Sequence, residues 1–166
     1  EEADITFEVF VHFGTVLSIF TVYGKEVGAL LNEAWAGLRH PGAVPTRYRD
    51  NDTFRLGVFI LVTLIPTGLV YVAFKDELEQ AFGSPWFTCL MLLVTGVLLL
   101  LTLLRPQPEG DLSPLKSFVV GVGQSAAMIP GISRSGTTIC TALYQNVQPE
   151  RAANFSFLML LPVVVG

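Results

Sequence analysis

Charged residues are scarce in this chain of 166 residues. Only 14% are Asp, Glu, Lys or Arg, against about a quarter in an average soluble domain. No cluster of lysines and arginines forms the basic surface that nucleic-acid binding requires, so we expect no nucleic-acid partner. With 51% hydrophobic residues and a mean hydropathy of +0.57, the composition predicts an integral membrane protein in contact with membrane lipids.

Cysteine and histidine are rarer still, with two of each. Cys89 and Cys140 lie far apart in apolar segments, which predicts buried free thiols rather than a disulfide framework, and no metal-ligand spacing is present. Glu8 and His12 share a helix face inside an apolar segment, where they can form a proton relay or a pair of metal ligands. The plainer interpretation, which we favour, is a Glu8 near the membrane surface and a His12 bonded to a neighbouring helix.

An initiator methionine and a signal peptide are also missing from the start of the chain. The other end stops inside an apolar run that is too short to cross a membrane. We expect residues 1–166 to form a single transmembrane domain, trimmed at both ends from a longer polytopic protein.

Long apolar runs dominate the rest of the sequence. Leu56–Phe74 and Trp86–Leu104 are each 19 residues long without a charge, roughly 28 Å as helix and enough to cross a bilayer. Residues 7–23 form a third predicted membrane helix, 115–146 a broken or re-entrant segment, and 152–166 the start of a further helix. The predicted fold is an all-α integral membrane protein, a polytopic helical bundle with a broken helix pair.

The segments between the spans carry most of the charges. After residue 24, apolar residues recur at helical spacing and predict an amphipathic helix on the membrane surface, which ends at His40 before a polar loop with Arg47 and Arg49. The residues of this stripe are Val27, Leu30, Leu31, Ala34, Trp35 and Leu38. We expect a kink at Pro66.

Lysine and arginine counts predict the orientation. They are concentrated in 24–55 and flank 105–116, which places both segments on the cytoplasmic side. The acidic segment 75–85, predicted to be a short loop, then lies outside. The broken segment 115–146 enters from the cytoplasmic side, either to cross the membrane or to turn back.

A polar loop, Pro130–Thr138, interrupts this broken segment. It contains four hydroxyl side chains, two glycines and the guanidinium of Arg134. Irregular backbone at membrane depth is tolerated only inside protein or along a wet cavity, and a charge there marks a functional site. The loop is therefore the predicted centre of the chemistry.

The loop suits a phosphate or a pyrophosphate. If a helix begins near Gly136, the amides of residues 135–138 point out of its N-terminus, where the helix dipole favours an anion. Arg134 offers a planar fork that matches phosphate oxygens and stabilises a transferring phosphoryl group. Arg134, Ser133 and Ser135 are the predicted catalytic residues, with both serines binding or orienting because no base lies near the loop. The predicted phosphate-binding residues are Gly131, Gly136, Thr137, Thr138 and Gln124.

A plainer interpretation exists for the loop and its neighbours. The loop can be a Gly/Ser break in which Ser133 caps the next helix and Arg134 extends to the membrane interface. Gln124 and Asn146 can face the site from either side of the loop. Hydrogen bonding between helices is the commoner role for such groups.

The residues from Gly123 to Thr138 resemble the undecaprenyl-diphosphate phosphatases of the BacA/UppP type. The signature of that family, Pro-Gly-x-Ser-Arg-Ser-Gly-x-Thr, is matched here at every fixed position from Pro130 onward. Residues 152–158 resemble the family's next helix, and residues 7–15 resemble an early one. The resemblance therefore covers nearly the whole chain.

This resemblance implies a function. Family members are bacterial inner-membrane enzymes that hydrolyse undecaprenyl diphosphate to undecaprenyl phosphate and phosphate. The reaction recycles the lipid carrier for peptidoglycan and cell-wall synthesis and confers resistance to bacitracin. The resemblance further implies a polyprenyl diphosphate substrate, dependence on a divalent cation (Mg²⁺ or Ca²⁺), a catalytic face toward the periplasm, and two inverted repeats that each contain a re-entrant hairpin.

One part of the family pattern is not matched. A second signature with paired glutamates, serines and a histidine has no counterpart in this chain, since Glu1 and Glu2 are followed by the context of the next helix. We therefore expect the fragment alone to lack the acidic and general acid–base half of the active site and to be inactive, and we identify no cation ligands in it. The alternative function is a polyprenyl-phosphate transporter or flippase, because broken helices also bind anions in secondary transporters. A non-catalytic membrane scaffold would leave Arg134 unexplained.

Overall fold

The computed structural model describes the backbone of residues 2–104 and 108–165, and the side chains of residues 10, 11, 13–104 and 108–162. Within these ranges the chain forms eight α-helices and no β-strand, which confirms the all-α prediction. The side chains of Glu8 and His12 and the whole of Arg105 lie outside the described residues. The helices are α1 (Glu2–Arg39), α2 (Val44–Asp50), α3 (Asp52–Phe82), α4 (Pro85–Leu101), α5 (Pro114–Ala126), α6 (Arg134–Tyr144), α7 (Pro149–Leu158) and α8 (Leu160–Val165).

These helices belong to two compact units. One contains the residues up to Val58 together with those from Phe157 onward, and the other contains Phe59–Ser156. The polar loop and all its described partners lie in the second unit. A single transmembrane domain over 1–166 stays a prediction.

In the first unit, α1 has non-helical backbone angles at Tyr23, where the sequence predicted the first span to end. Beyond that residue, Leu31, Trp35 and Leu38 are exposed, as the amphipathic stripe requires. The guanidinium of Arg39 stacks over the Trp35 ring at 4.8 Å. This surface can pack against lipid head groups and acyl chains.

The prediction of a polar loop after His40 was wrong. Pro41–Ala43 is a turn of 3₁₀-helix, and α2 follows it at once. Pro45 stands in the first turn of α2, where a missing amide hydrogen costs nothing. An ion pair of 2.6 Å between Arg47 on α2 and Glu33 on α1 holds the short helix in place.

Two helices, α3 and the segment Pro85–Leu104, are long and apolar enough to cross a membrane. Only 28% and 6% of their apolar windows are buried, whereas the core helix of a soluble protein would be mostly buried. Ser84 separates them, because its hydroxyl accepts a hydrogen bond from the amide of Phe87 and caps α4. The two predicted spans are thus observed as helices of suitable length.

Two details of α3 differ from the sequence prediction. The helix continues through the predicted acidic loop as far as Phe82, since residues 75–82 favour helix and Lys75 pairs with Glu79 one turn later. The non-helical backbone angles lie at Phe74 and not at Pro66. The ring of Pro66 is buried against α5, where Gly121 leaves room for it.

Helices α5 and α6 form an antiparallel hairpin. The side-chain Nε2 of Gln145, just after α6, donates to the carbonyl of Lys116 near the start of α5, and Gly123 near the end of α5 packs against Thr141. The helices have 13 and 11 residues, roughly 20 and 16 Å, so neither can cross a hydrocarbon core of about 30 Å. The segment 115–146 therefore turns back on itself, which decides between the two predicted paths.

The base of this hairpin is closed by backbone contacts. Gly110 forms a bridge with Val147, and the amide of Gln148 donates to the carbonyl of Gly110. Asn146 takes a positive φ of 61° in the turn that leads there. The following helix, predicted to start at 152, begins at Pro149 and places Phe155 and Ser156 in the buried core.

Candidate anion-binding site

The N-terminus of α6 is the centre of the site. Ser133 caps it, because its hydroxyl accepts a hydrogen bond of 3.2 Å from the amide of Gly136. The helix therefore begins at Arg134, two residues before the predicted start, and the amide of Thr137 already donates to the carbonyl of Ser133. The prediction that the amides of Gly136, Thr137 and Thr138 are free for an anion was wrong, because the cap moves the unpaired positions to the start of the first turn.

Ser135 supplies donors at this terminus. Its amide and its hydroxyl have no hydrogen-bond partner among the described residues, and it is only partly buried. The hydroxyl of Ser133 accepts from Gly136 and keeps its own hydrogen for a further acceptor. These groups, together with the helix dipole, form an environment that favours an anion.

Arg134 is held by the opposite arm of the hairpin. Its Nε and Nη2 donate to Oε1 of Gln124, at 3.0 and 2.6 Å. Gln124 is only 2% exposed, and its own amide donates to Oγ1 of Thr67 on α3 at 3.0 Å. Arg134 therefore does not extend to the membrane interface, although the capping half of the plainer interpretation is confirmed at Ser133.

The loop is fastened to α4 by Thr95. The amide of Ser133 donates to Oγ1 of Thr95 at 3.1 Å, and this hydroxyl lies 3.3 Å from the carbonyl oxygen of Gly131. Gly131 has a positive φ of 91°, and a Cβ there would overlap with the carbonyl oxygen of Thr88. Only glycine fits this close approach.

The two threonines predicted to bind phosphate are turned toward protein. The hydroxyl of Thr137 donates to the carbonyl of Ser133, and that of Thr138 lies 2.9 Å from the carbonyl of Arg134. Thr138 is fully buried and shares a hydrogen bond of 2.6 Å with Ser156 on α7. This geometry favours a supporting role for both residues, and their binding of phosphate stays an untested prediction.

The position of the loop along the spans follows from these contacts. Thr67 stands at the middle of α3 and Thr95 near the middle of Pro85–Leu104. Ser133 and Gln124 therefore lie beside the middle of these helices, and the loop continues to Gly131, which lies against Thr88 near the start of α4. Further along α6, Cys140 contacts Leu98 nearer the C-terminal end of α4, so the tip of the hairpin points toward the α3–α4 connection.

Asn146 is not part of this site. It lies beyond the end of α6, and an 11-residue helix of roughly 16 Å separates it from Arg134. Its positive φ instead shapes the turn at the base of the hairpin. Gln124, by contrast, lies beside the loop and contacts Arg134, while its predicted binding of phosphate stays untested.

The donors at the tip do not fit a divalent cation. Such ions prefer carboxylate and carbonyl oxygens, whereas Arg134, Ser133 and Ser135 present a cationic group and hydrogen-bond donors. Among the described side chains, those of residues 10, 11, 13–104 and 108–162, no group of three or more His, Cys, Asp or Glu could hold a metal. The site as built can bind and orient an anion.

Sequence reasoning missed Thr67, Thr95 and Ser156. All three are hydroxyl residues at 7%, 5% and 1% exposure. A usable signal existed for the first two, because a polar side chain near the middle of an apolar span often bonds across helices. Ser156 gave no comparable signal.

Comparisons with known proteins agree on one family. The family described as bacitracin resistance protein BacA matches residues 1–166. A protein of Salinibacter ruber named undecaprenyl-diphosphatase is 75% identical over the whole chain, which covers 62% of that protein. Undecaprenyl-diphosphatases of Bacteroides fragilis and Desulfosudis oleivorans are 32% and 34% identical over 99% of the chain, which covers 59% and 62% of them. The chain thus spans about three-fifths of the length of these curated relatives.

Proposed function

Since the chain belongs to the BacA family of bacitracin resistance proteins, we propose that the complete gene product hydrolyses undecaprenyl diphosphate to undecaprenyl phosphate and phosphate. This activity would recycle the lipid carrier for cell-wall synthesis and confer bacitracin resistance. The substrate class is a polyprenyl diphosphate, because the site offers donors for a diphosphate and the long spans offer apolar surface for the prenyl chain. The relative that is 75% identical supports this proposal through its name.

The observation that carries the proposal is the position of Arg134. Its guanidinium lies at the N-terminus of a helix, at the tip of a hairpin that reaches the middle of two apolar helices. A cation at such depth is costly and needs a function. A diphosphate head group carries charge of the opposite sign, and its oxygens accept hydrogen bonds from a guanidinium.

In this mechanism, the loop binds and orients the diphosphate. Arg134 donates to its oxygens and offsets the negative charge that redistributes as the terminal phosphoryl group leaves. Ser135 adds its amide and hydroxyl, and Ser133 adds its hydroxyl hydrogen while it holds the helix start in place. Neither serine is assigned as the nucleophile.

The protein is a membrane protein, and we propose the bacterial inner membrane as its location with the site facing the periplasm. The hairpin tip points toward the α3–α4 connection, which the lysine and arginine counts predict to lie outside. Taken together, these two steps place the tip on the periplasmic side, which is the side that the family resemblance implies. Dependence on Mg²⁺ or Ca²⁺ stays a prediction from the family resemblance, and phosphate release in excess EDTA is its test.

The test is phosphate release from undecaprenyl diphosphate by the complete gene product in detergent. Arg134→Ala is compared with the wild type and with Arg49→Ala, which removes an exposed arginine on α2. We expect Arg134→Ala alone to lose activity while both variants stay folded. Equal activity of the wild type and Arg134→Ala would contradict the assigned site, and a wild type without activity would contradict the enzyme assignment.

A carrier function is the second candidate, because the half-depth position of the tip resembles transporter sites. Ser135→Cys, in a protein whose Cys89 and Cys140 are replaced by serine, reports access to the loop. Labelling by an impermeant reagent from the periplasmic face only supports the hydrolase. Labelling of this variant from both faces, together with no phosphate release by the wild type, supports the carrier.

A further inference from the structure

Gln124 is hydrogen-bonded to two other side chains of the protein, Arg134 and Thr67. Its carbonyl oxygen Oε1 accepts two hydrogen bonds from Arg134, and its amide Nε2 donates to Thr67. The side chain is 2% exposed. The carbonyl oxygen and one of the two amide hydrogens of Gln124 are therefore bonded to protein groups, so the structure shows Gln124 as a partner of Arg134 and Thr67.

The direction of these bonds is forced. A guanidinium has only donors, so the carbonyl oxygen of Gln124 must face Arg134, and the amide must face Thr67. Thr67 then accepts from Gln124 and gives its own hydrogen to the carbonyl of Thr63, 2.8 Å away. The result is a chain of hydrogen bonds with one polarity, which runs from the tip of the hairpin to the backbone of α3.

Close packing of α3 against α5 keeps this chain short. At Gly121, an added Cβ would lie 2.6 Å from the carbonyl oxygen of Thr63 and 2.7 Å from the ring of Pro66. The helices can approach this closely only because residue 121 has no side chain. Gln124 stands one turn later on α5 and thereby reaches Thr67.

The chemistry of a carboxamide matters as much as its position. An amide oxygen fixes the orientation of a guanidinium and adds no negative charge, whereas a carboxylate would offset its positive charge. Gln124 uses Nε and one hydrogen of Nη2, so Nη1 and the second Nη2 hydrogen lie outside this contact. The arginine is thus oriented with its charge undiminished by Gln124.

We propose that Gln124 is a positioning residue, anchored through Thr67, that aims Arg134 at a diphosphate while leaving its positive charge in force. This proposal rests on the proposed function for its kinetic readout. The affinity for inorganic pyrophosphate provides a second readout that does not depend on hydrolysis.

The experiment measures kcat and KM for undecaprenyl diphosphate, and the Kd of inorganic pyrophosphate, for the complete gene product and its variants. Gln124→Met removes the acceptor at nearly constant volume, and Gln124→Glu keeps the acceptor but adds a negative charge. Gln145→Met is the matched control, because Gln145 also bonds between α5 and α6 but at the base of the hairpin.

We expect KM and the pyrophosphate Kd to rise about tenfold or more in both Gln124 variants, since one charge-assisted hydrogen bond contributes about 1.5–3 kcal/mol. Thr67→Val shifts both in the same direction by a smaller factor. Gln145→Met leaves both constants near the wild-type values. A thermal melt of each variant measures folding separately.

Three results decide the proposal. If pyrophosphate affinity falls in the Gln124 variants but the wild type releases no phosphate, the positioning role is supported and the proposed function fails. If Gln124→Glu binds as tightly as the wild type, the importance of a neutral carboxamide is overturned. If KM and Kd stay constant while kcat falls only with thermal stability, Gln124 is merely structural and the proposal is overturned. Should Gln124→Met fail to fold, Gln124→Glu and Thr67→Val supply the same comparison.

Discussion

The hydroxyl of Thr95 offers the sharpest test of how the loop is held. Thr95→Val keeps the shape of the side chain and removes the oxygen that accepts from the amide of Ser133 and lies near the carbonyl of Gly131. Thr95 is 5% exposed, so little water can replace the lost partner. The substitution leaves a poorly satisfied amide at the residue that caps α6.

The size of the expected effect follows from the cost of leaving the backbone amide of Ser133 without an acceptor. A buried donor left without an acceptor costs about 1–3 kcal/mol, and a loop that escapes this cost by opening moves Arg134 away from the substrate. We therefore expect kcat/KM for phosphate release to fall about 5- to 150-fold, because each 1.4 kcal/mol corresponds to a factor of about ten. Helical content should be unchanged.

Steady-state phosphate release by the complete gene product is the assay. Thr102→Val is the control, because the hydroxyl of Thr102 donates an exposed hydrogen bond to the carbonyl of Leu99 in the preceding turn, away from the loop. We expect this control to stay within about twofold of the wild type, since its loss leaves no donor unpaired. A Thr95→Val protein with wild-type kcat/KM would refute the reasoning that this hydroxyl holds the loop.

Two further substitutions test the packing. Gly131→Ala forces a positive φ on a residue with a side chain, at a cost of about 1–2 kcal/mol, and drives a Cβ against the carbonyl of Thr88. We expect a lower melting temperature and a loss of phosphate release, whereas Gly96→Ala, with open space around its Cβ, should retain both. Ser117→Ala should raise the melting temperature, because the Ser117 hydroxyl is buried without a hydrogen-bond partner in the described part of the chain. A lower melting temperature for Ser117→Ala would show that this hydroxyl has a partner after all.

Much of the helical layout was predictable from hydropathy alone. The spans 56–74 and 86–104 lie within α3 and within the segment Pro85–Leu104, because long uncharged runs have few alternatives to helix. Their ends were less predictable. The helix continues through 75–82 because charged residues such as Lys75 and Glu79 favour helix as well as loops.

The site was predictable in composition but not in detail. The composition of Pro130–Thr138 predicts a polar loop at membrane depth, and serine at position 133 is a residue type that commonly caps a helix. What the sequence could not supply is the contact of Gln124 with Arg134, since the nine intervening residues reveal nothing about the antiparallel hairpin that joins them. The roles of Thr67 and Thr95 depend on the same tertiary packing.

The most direct test of the central claim is the affinity of the complete gene product for a short-chain prenyl diphosphate, with and without Arg134→Gln. The account predicts that the substitution raises the Kd about 10- to 150-fold, because charge-assisted hydrogen bonds to phosphate contribute about 1.5–3 kcal/mol. A folded Arg134→Gln protein that binds the diphosphate as tightly as the wild type would contradict the assignment of this loop as the anion-binding site.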